Sequence, residues 1–124
     1  MRLVLTAASA VAALAISSAA AQSQTELNAQ AAADLRKSDK QLNAVYNKLR
    51  AKISDAGKKK LQVAQQSWLQ FRDQECEFET MGTVGGSIHS MIVAICLTRL
   101  TDQRVKDLEA QLNCQEGNLS CGGQ

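Results

Sequence analysis

Apolar residues recur every three or four positions along most of this 124-residue chain, which is the spacing of an amphipathic α-helix. Leu27, Ala31, Leu35, Leu42, Val45, Tyr46, Leu49 and Ile53 trace the first such face. Ser23-Gln24-Thr25-Glu26 has the form of a capping box and predicts a helix start at Ser23. A second box, Ser38-Asp39-Lys40-Gln41, marks a potential break within that helix. Ser54-Asp55-Ala56-Gly57 is a stop and restart signal, with Ser54 or Asp55 as the next N-cap. Leu61, Ala64, Trp68, Phe71, Cys76 and Phe78 then outline one face of a second helix. Met81-Gly82-Thr83-Val84-Gly85-Gly86-Ser87 reads as a loop. A third helix is expected from about Ser87 to Leu112, with Ile88, Met91, Ile92, Ile95, Leu100, Val105, Leu108 and Leu112 as its apolar positions. No strand-like alternation or repeat is visible. The expected class is all-α, a small antiparallel three-helix bundle built on a helical hairpin.

The segment ahead of these helices follows a different pattern. Arg2 gives a positive start, a Val, Leu and Ala run extends from Leu3 to about Ile16, and Ala19-Ala20-Ala21 closes it with small residues. That is the layout of a cleavable signal peptide over residues 1–21, with Gln22 as the new N-terminus. The run is short and Ala-rich against the ~20 strongly apolar residues a membrane span needs. No Cys stands near the cleavage point to carry a lipid anchor. Residues 22–113 form the expected helical domain and 114–124 a tail, in a periplasmic or secreted product with no membrane anchor after cleavage.

Composition supports helices, because the chain has no proline and is rich in Ala, Gln, Leu, Lys and Glu. The formal net charge is +2, and loss of Arg2 with the leader lowers it by one. This is not the basic excess of a nucleic-acid binder. The four cysteines, Cys76, Cys96, Cys114 and Cys121, all follow the leader. An even count in a small exported chain points to disulfides. No CxxC pair and a single histidine, His89, argue against zinc.

The pairing follows from hairpin geometry. Residues facing each other across an antiparallel hairpin have numbers symmetric about the turn, and Cys76 and Cys96 are centred on Gly86, inside the loop. A Cys76–Cys96 bond would join helices two and three at one height and stabilise by about 3 kcal/mol. Cys114 and Cys121 would then close a local tail loop. The other two pairings would drag the tail onto the hairpin turn. The same symmetry brings Lys58 and Lys60 near Asp107 and Glu109. Glu75, Glu77 and Glu79 gather at the other end of helix two, where they oppose the helix dipole. They are the candidate partner-binding residues.

A catalytic constellation is not apparent. His89 stands at the start of helix three as a solvated, loop-proximal residue, with no nucleophile placed against it by spacing. Gly82, Gly85 and Gly86 follow a helix and lack the lysine of a phosphate loop. The chain therefore reads as a non-enzyme without cofactor or metal.

Helix two carries Gln65-x-x-Trp68-x-x-Phe71-Arg72-Asp73-x-x-Cys76. Leu42-Asn43-x-x-Tyr46, Gly85-Gly86-Ser87-Ile88, Cys96 and Thr101-x-x-Arg104-x-x-x-Leu108 accompany it in order. This set resembles the signature of the lysozyme inhibitor LprI-like family, also known as a bacterial exported domain of unknown function, over roughly residues 26–112. The resemblance implies a helical exported protein with the Cys76–Cys96 bond. It also implies a protein partner, lysozyme or another cell-wall hydrolase. Many relatives carry a further Cys pair early in the first helix. This chain has none between Gln22 and Glu75 and has Cys114 and Cys121 instead. The motif residues Gln65, Trp68, Phe71, Arg72, Asp73 and Arg104 are expected to be mostly structural. Trp68 and Phe71 would be core anchors, and Arg72 and Arg104 would reach carboxylates such as Asp73. The alternative function is an envelope interaction or stress protein docking on another periplasmic partner through its hairpin.

Overall fold

A computed structural model describes residues 10–115 and 117–122, with side chains from Ser23 onward. Its elements are α1 (Ala10–Lys52), α2 (Asp55–Glu79), a short 3-10 turn (Met81–Thr83) and α3 (His89–Leu112). No strand occurs among the described residues. Cross-helix contacts fix the directions. Gln24 of α1 approaches Met91 of α3, and further along Ser38 meets Asp102, so α1 and α3 run parallel. Arg72 of α2 meets Asp39, and Gln65 meets Arg104, so α2 runs antiparallel to both. The expected three-helix bundle is thus formed with up-down-up topology.

The boundaries of α1 differ from expectation at two places. The helix begins at Ala10, and Ser23 lies inside it. The Ala-rich run ahead of Ser23 has the highest helix propensity of any residue type, and neither Gly nor Pro interrupts it, so the helix propagates through the box. It is also unbroken at Ser38. That side chain is buried and donates to Asp102 Oδ1 at 2.5 Å, which removes the hydroxyl that would have capped a new helix. The α1–α2 break is where the sequence places it, with Ser54 as N-cap accepting from Gly57 N at 3.1 Å.

Leu42, Val45 and Leu49 of α1 and Ile53 just beyond it bury themselves against Leu108 of α3, with Tyr46, Leu61, Trp68, Val105 and Leu112 packed around them. This core sits toward the α1–α2 turn. Toward the α2–α3 loop the buried residues are small: Ala31, Ala94, Cys76 and Cys96. Small side chains bring the backbones close and leave little apolar volume to cover larger ones. Leu27, Phe71, Phe78 and Ile95, which periodicity assigns to the interior, are accordingly about half exposed or more. Phe71 is therefore not the core anchor its spacing suggests.

Both expected disulfides are present, Cys76–Cys96 and Cys114–Cys121. The first is buried between α2 and α3. The hairpin symmetry drifts away from this bond. Lys58 pairs with Asp55 in its own helix at 3.6 Å, and no ion pair links Lys58 or Lys60 to Asp107 or Glu109 among the described residues.

Candidate functional site

The motif residues come together as a ladder across all three helices. Arg72, nearly buried, donates from Nη1 to Asp39 Oδ1 of α1 at 3.0 Å and to Thr101 Oγ1 of α3 at 3.1 Å. Its Nε donates to Asp73 Oδ1 at 3.0 Å. Thr101 is fully buried, so this polar contact lies at the junction of the helices. Arg104 donates from Nε to Gln65 Oε1 at 3.0 Å. Both guanidinium groups stack against the single tryptophan, Arg72 at 5.5 Å and Arg104 at 5.8 Å from the Trp68 ring centroid. A planar cation on an indole face is attracted by the ring quadrupole. Burial lowers the pKa of Arg104 from its ordinary value, and the nearby Asp107 opposes that shift. The hydrogen-bond partner of Arg104 among the described residues is Gln65, not a carboxylate, and Asp73 meets Arg72. Arg72 and the Gln65–Arg104 pair bond across helices around Trp68, whereas Asp73 meets Arg72 from within α2. Asp39, which receives Arg72 from α1, has no signal in the spacing of its own helix.

Glu75 and Glu79, four apart, lie on one face of α2, while Glu77 falls on another. Glu79 is engaged in an exposed pair with Arg99, whose Nη2 lies 2.9 and 2.7 Å from its two carboxylate oxygens, and Cys96 Sγ lies 3.3 Å from Oε2. Glu75, half-buried, and Glu77, exposed, make no ion pair among the described residues. Glu77 lines a cleft of about 560 Å³ with Asp73, Thr80, Val84 and His89. His89 is half-buried rather than solvated. Thr83 Oγ1 donates to the Thr80 carbonyl at 3.0 Å, leaving it to accept from His89 Nδ1 at 2.8 Å. The histidine thus braces the loop, where Gly85 supplies the one left-handed backbone conformation (φ 84°).

Around this end of the hairpin three large apolar side chains face solvent: Phe78 is 69% exposed, Met81 65% and Val84 72%. They follow one another through the last turn of α2 and the loop. Solvent-facing apolar groups gathered at one place mark interaction surfaces more often than isolated ones do. Periodicity assigns Phe78 to the interior and Met81 and Val84 to an ordinary loop. The available signal was two bulky apolar residues within a Gly-rich turn. At the far end of the molecule, the Cys114–Cys121 loop folds back on α3. Gln111 Nε2 donates to the Ser120 carbonyl at 3.1 Å and Gln111 Oε1 accepts from Gly122 N at 2.9 Å.

These features define a class: a disulfide-pinned three-helix protein with a structural Trp–Arg ladder and an apolar, partly acidic hairpin end. Residues 16–108 match the family model for lysozyme inhibitor LprI, and the chain belongs to that family. An uncharacterised protein of Rhizobium meliloti is 31% identical over 109 residues, covering 77% of this chain and 78% of that protein. The crystal structure of a DUF1311 family protein from Pseudomonas putida superposes with a TM-score of 0.64 at 21% identity. It covers 73% of this chain and 94% of that one. At that identity the likeness speaks for the fold.

Proposed function

We propose that this chain is an exported, non-enzymatic binding protein that inhibits a lysozyme-type cell-wall hydrolase through its hairpin end. The observation that carries the reading is the exposed Phe78, Met81 and Val84 near Glu75 and Glu77, which make no ion pair among the described residues. Apolar anchors supply most of an interface's affinity, and charges at its rim steer a partner of opposite sign. Membership of a family described as lysozyme inhibitors supports the same reading. The Cys76–Cys96 bond ties α2 to α3 just behind the surface, so little ordering remains to oppose binding.

Export with cleavage after Ala21, and a periplasmic or secreted location, belong to the same reading. The tripartite leader and the pairing of every cysteine support it. No helix among the described residues is long and apolar enough to cross a membrane. The intact mass of the exported protein is expected to be that of a chain beginning at Gln22, with or without the loss of ammonia that accompanies cyclisation of an N-terminal glutamine.

The decisive experiment is a cell-wall lysis assay with the oxidised mature protein and lysozyme. Dose-dependent inhibition is expected at micromolar excess, and its absence overturns the proposal. Phe78→Ser and Glu77→Lys, both at exposed positions, are each expected to weaken inhibition about tenfold or more, the range of a single anchor or reversed charge. Undiminished inhibition by both variants would remove the hairpin end as the binding surface.

A further inference from the structure

The α1–α2 end of the bundle, opposite the hairpin loop, contains a second cleft. It measures about 530 Å³, within the range of small-molecule sites. Leu49, Ile53, Leu61 and Leu108 form an apolar floor, and three of these are buried core residues. Lys60 and Arg104 stand on its wall. Among the described residues Asp107 is the one acidic residue lining it, and it keeps its charge while accepting from Gln103 Nε2 at 3.1 Å, so two cations face one anion. The cleft thus pairs an apolar floor with an excess of positive charge.

Arg104 is held in a defined orientation. Its Nε is committed to Gln65, its plane rests near Trp68, and its Nη1 and Nη2 make no hydrogen bond among the described residues. A guanidinium engaged only through Nε keeps the Nη1–Nη2 edge for a second planar acceptor, and a carboxylate matches that edge with two parallel bonds. Burial removes part of the water that would otherwise solvate this cation, and Asp107 offsets that loss only in part, since the net shift of Arg104 is downward.

The C-terminal tail completes the cleft. Gly122 lines it, placed there by the two hydrogen bonds that Gln111 makes to the tail, and the Cys114–Cys121 bond closes the loop that leads to it. The tail disulfide lies outside the three-helix contacts, so it acts on this wall and not on the bundle.

We infer that this cleft binds a single-chain aliphatic carboxylate, with the alkyl chain on the leucine floor and the carboxylate between Lys60 and Arg104. The site is separate from the hairpin end and does not depend on its role.

The test titrates the folded, oxidised mature protein with decanoate below its micelle concentration. Calorimetry and the emission of Trp68, the single tryptophan, report binding. Saturable one-site binding is expected, with acetate inert and decanol weaker. Ala64→Phe, at an exposed position on the cleft wall, is expected to abolish binding by filling it. Lys60→Glu is expected to weaken it roughly tenfold by exchanging an attraction for a repulsion. Circular dichroism confirms that both variants fold, and each tests the site independently. No saturable signal, or decanoate binding that survives Ala64→Phe, overturns the inference. Phosphatidylglycerol vesicles provide the second arm. Vesicle binding without any response to decanoate would mean that the lysine-rich turn contacts anionic surfaces and the cleft takes no ligand, which also overturns it.

Discussion

Replacement of Arg72 tests whether the motif of this family is the structural tie that the geometry describes. In Arg72→Met the apolar stem is retained while four interactions disappear. The hydrogen bond to the fully buried Thr101 leaves Oγ1 without its donor, a loss of about 1 kcal/mol. Removing the cation from Trp68 costs about 0.5–1 kcal/mol. The carboxylates of Asp39 and Asp73 are 44% and 57% exposed and can be rehydrated, so each pair contributes no more than about 0.5 kcal/mol. The expected loss is about 2–3 kcal/mol. For a domain of this size it corresponds to a fall in Tm of roughly 10–20 °C. Thermal and urea unfolding followed by far-ultraviolet circular dichroism, with Trp68 emission as a second probe, measure it directly. Asp73→Asn, which removes only the most exposed partner, is expected to change stability by less than about 0.5 kcal/mol. Arg72→Lys should fall between the two, because an ammonium cannot reach Asp39, Thr101 and Asp73 in one geometry while covering the indole. A Tm for Arg72→Met within a few degrees of the native protein, or no lower than that of Asp73→Asn, would refute the ladder.

Three further outcomes follow from the same contacts. Cys76→Ala/Cys96→Ala should destabilise by about 3 kcal/mol in urea unfolding, whereas Cys114→Ser/Cys121→Ser should leave the bundle transition within about 0.5 kcal/mol, since its loop closes beyond α3. Equal losses from the two would contradict the assignment of the tail disulfide to the cleft wall. Thr98 Oγ1 is a buried hydroxyl without a hydrogen-bond partner among the described residues, so Thr98→Val is expected to raise stability by about 0.5–1 kcal/mol; a loss of that size would show that the hydroxyl is satisfied in solution. Glu77→Lys replaces an unpaired anion near the C-terminus of α2 by a cation and should stabilise the helix by a few tenths of a kcal/mol. The same substitution should weaken hydrolase inhibition, and a variant that is both less stable and fully inhibitory would break the link.

Several elements could be read from residue spacing because local chemistry decides them. Ser54 caps α2 since its hydroxyl meets Gly57 N one turn on, and the Cys76–Cys96 register follows from symmetry about Gly86. The start of α1 could not be read in this way. A capping box at Ser23 states how a helix would begin there, but an uninterrupted alanine-rich run ahead of it is a stronger local preference. Exposure of Phe71 and Phe78 was also hidden. Periodicity identifies the apolar stripe of α2, while coverage of that stripe depends on α3 packing chiefly on α1 and on the small size of Ala31 and Ala94. The partners of Arg72 belong to the same category. Asp39 and Thr101 meet it only once α1 and α3 lie parallel, a relation that no local pattern encodes. The cleft beside Arg104 is not encoded in any local pattern either, as its wall is assembled from α1, α2, α3 and the tail.

The charges of α2 connect these observations. Lysines at its N-terminus and glutamates at its C-terminus both oppose the helix dipole, at a cost of a few tenths of a kcal/mol for each exposed charge. Two of them are locally compensated, Lys58 by Asp55 and Glu79 by Arg99. Lys59, Lys60, Glu75 and Glu77 have no ion-pair partner among the described residues. If these charges served only solubility, placing them with the dipole would be equally soluble and more stable. Lys60 instead stands on the wall of the apolar cleft, and Glu75 and Glu77 flank the exposed Phe78 at the hairpin end. Three of these four uncompensated charges thus lie at the two surfaces proposed for binding, and Lys59 lies at neither. The middle of the bundle, where Arg72 and Arg104 are tied to neighbouring helices around Trp68, can then hold both ends rigid.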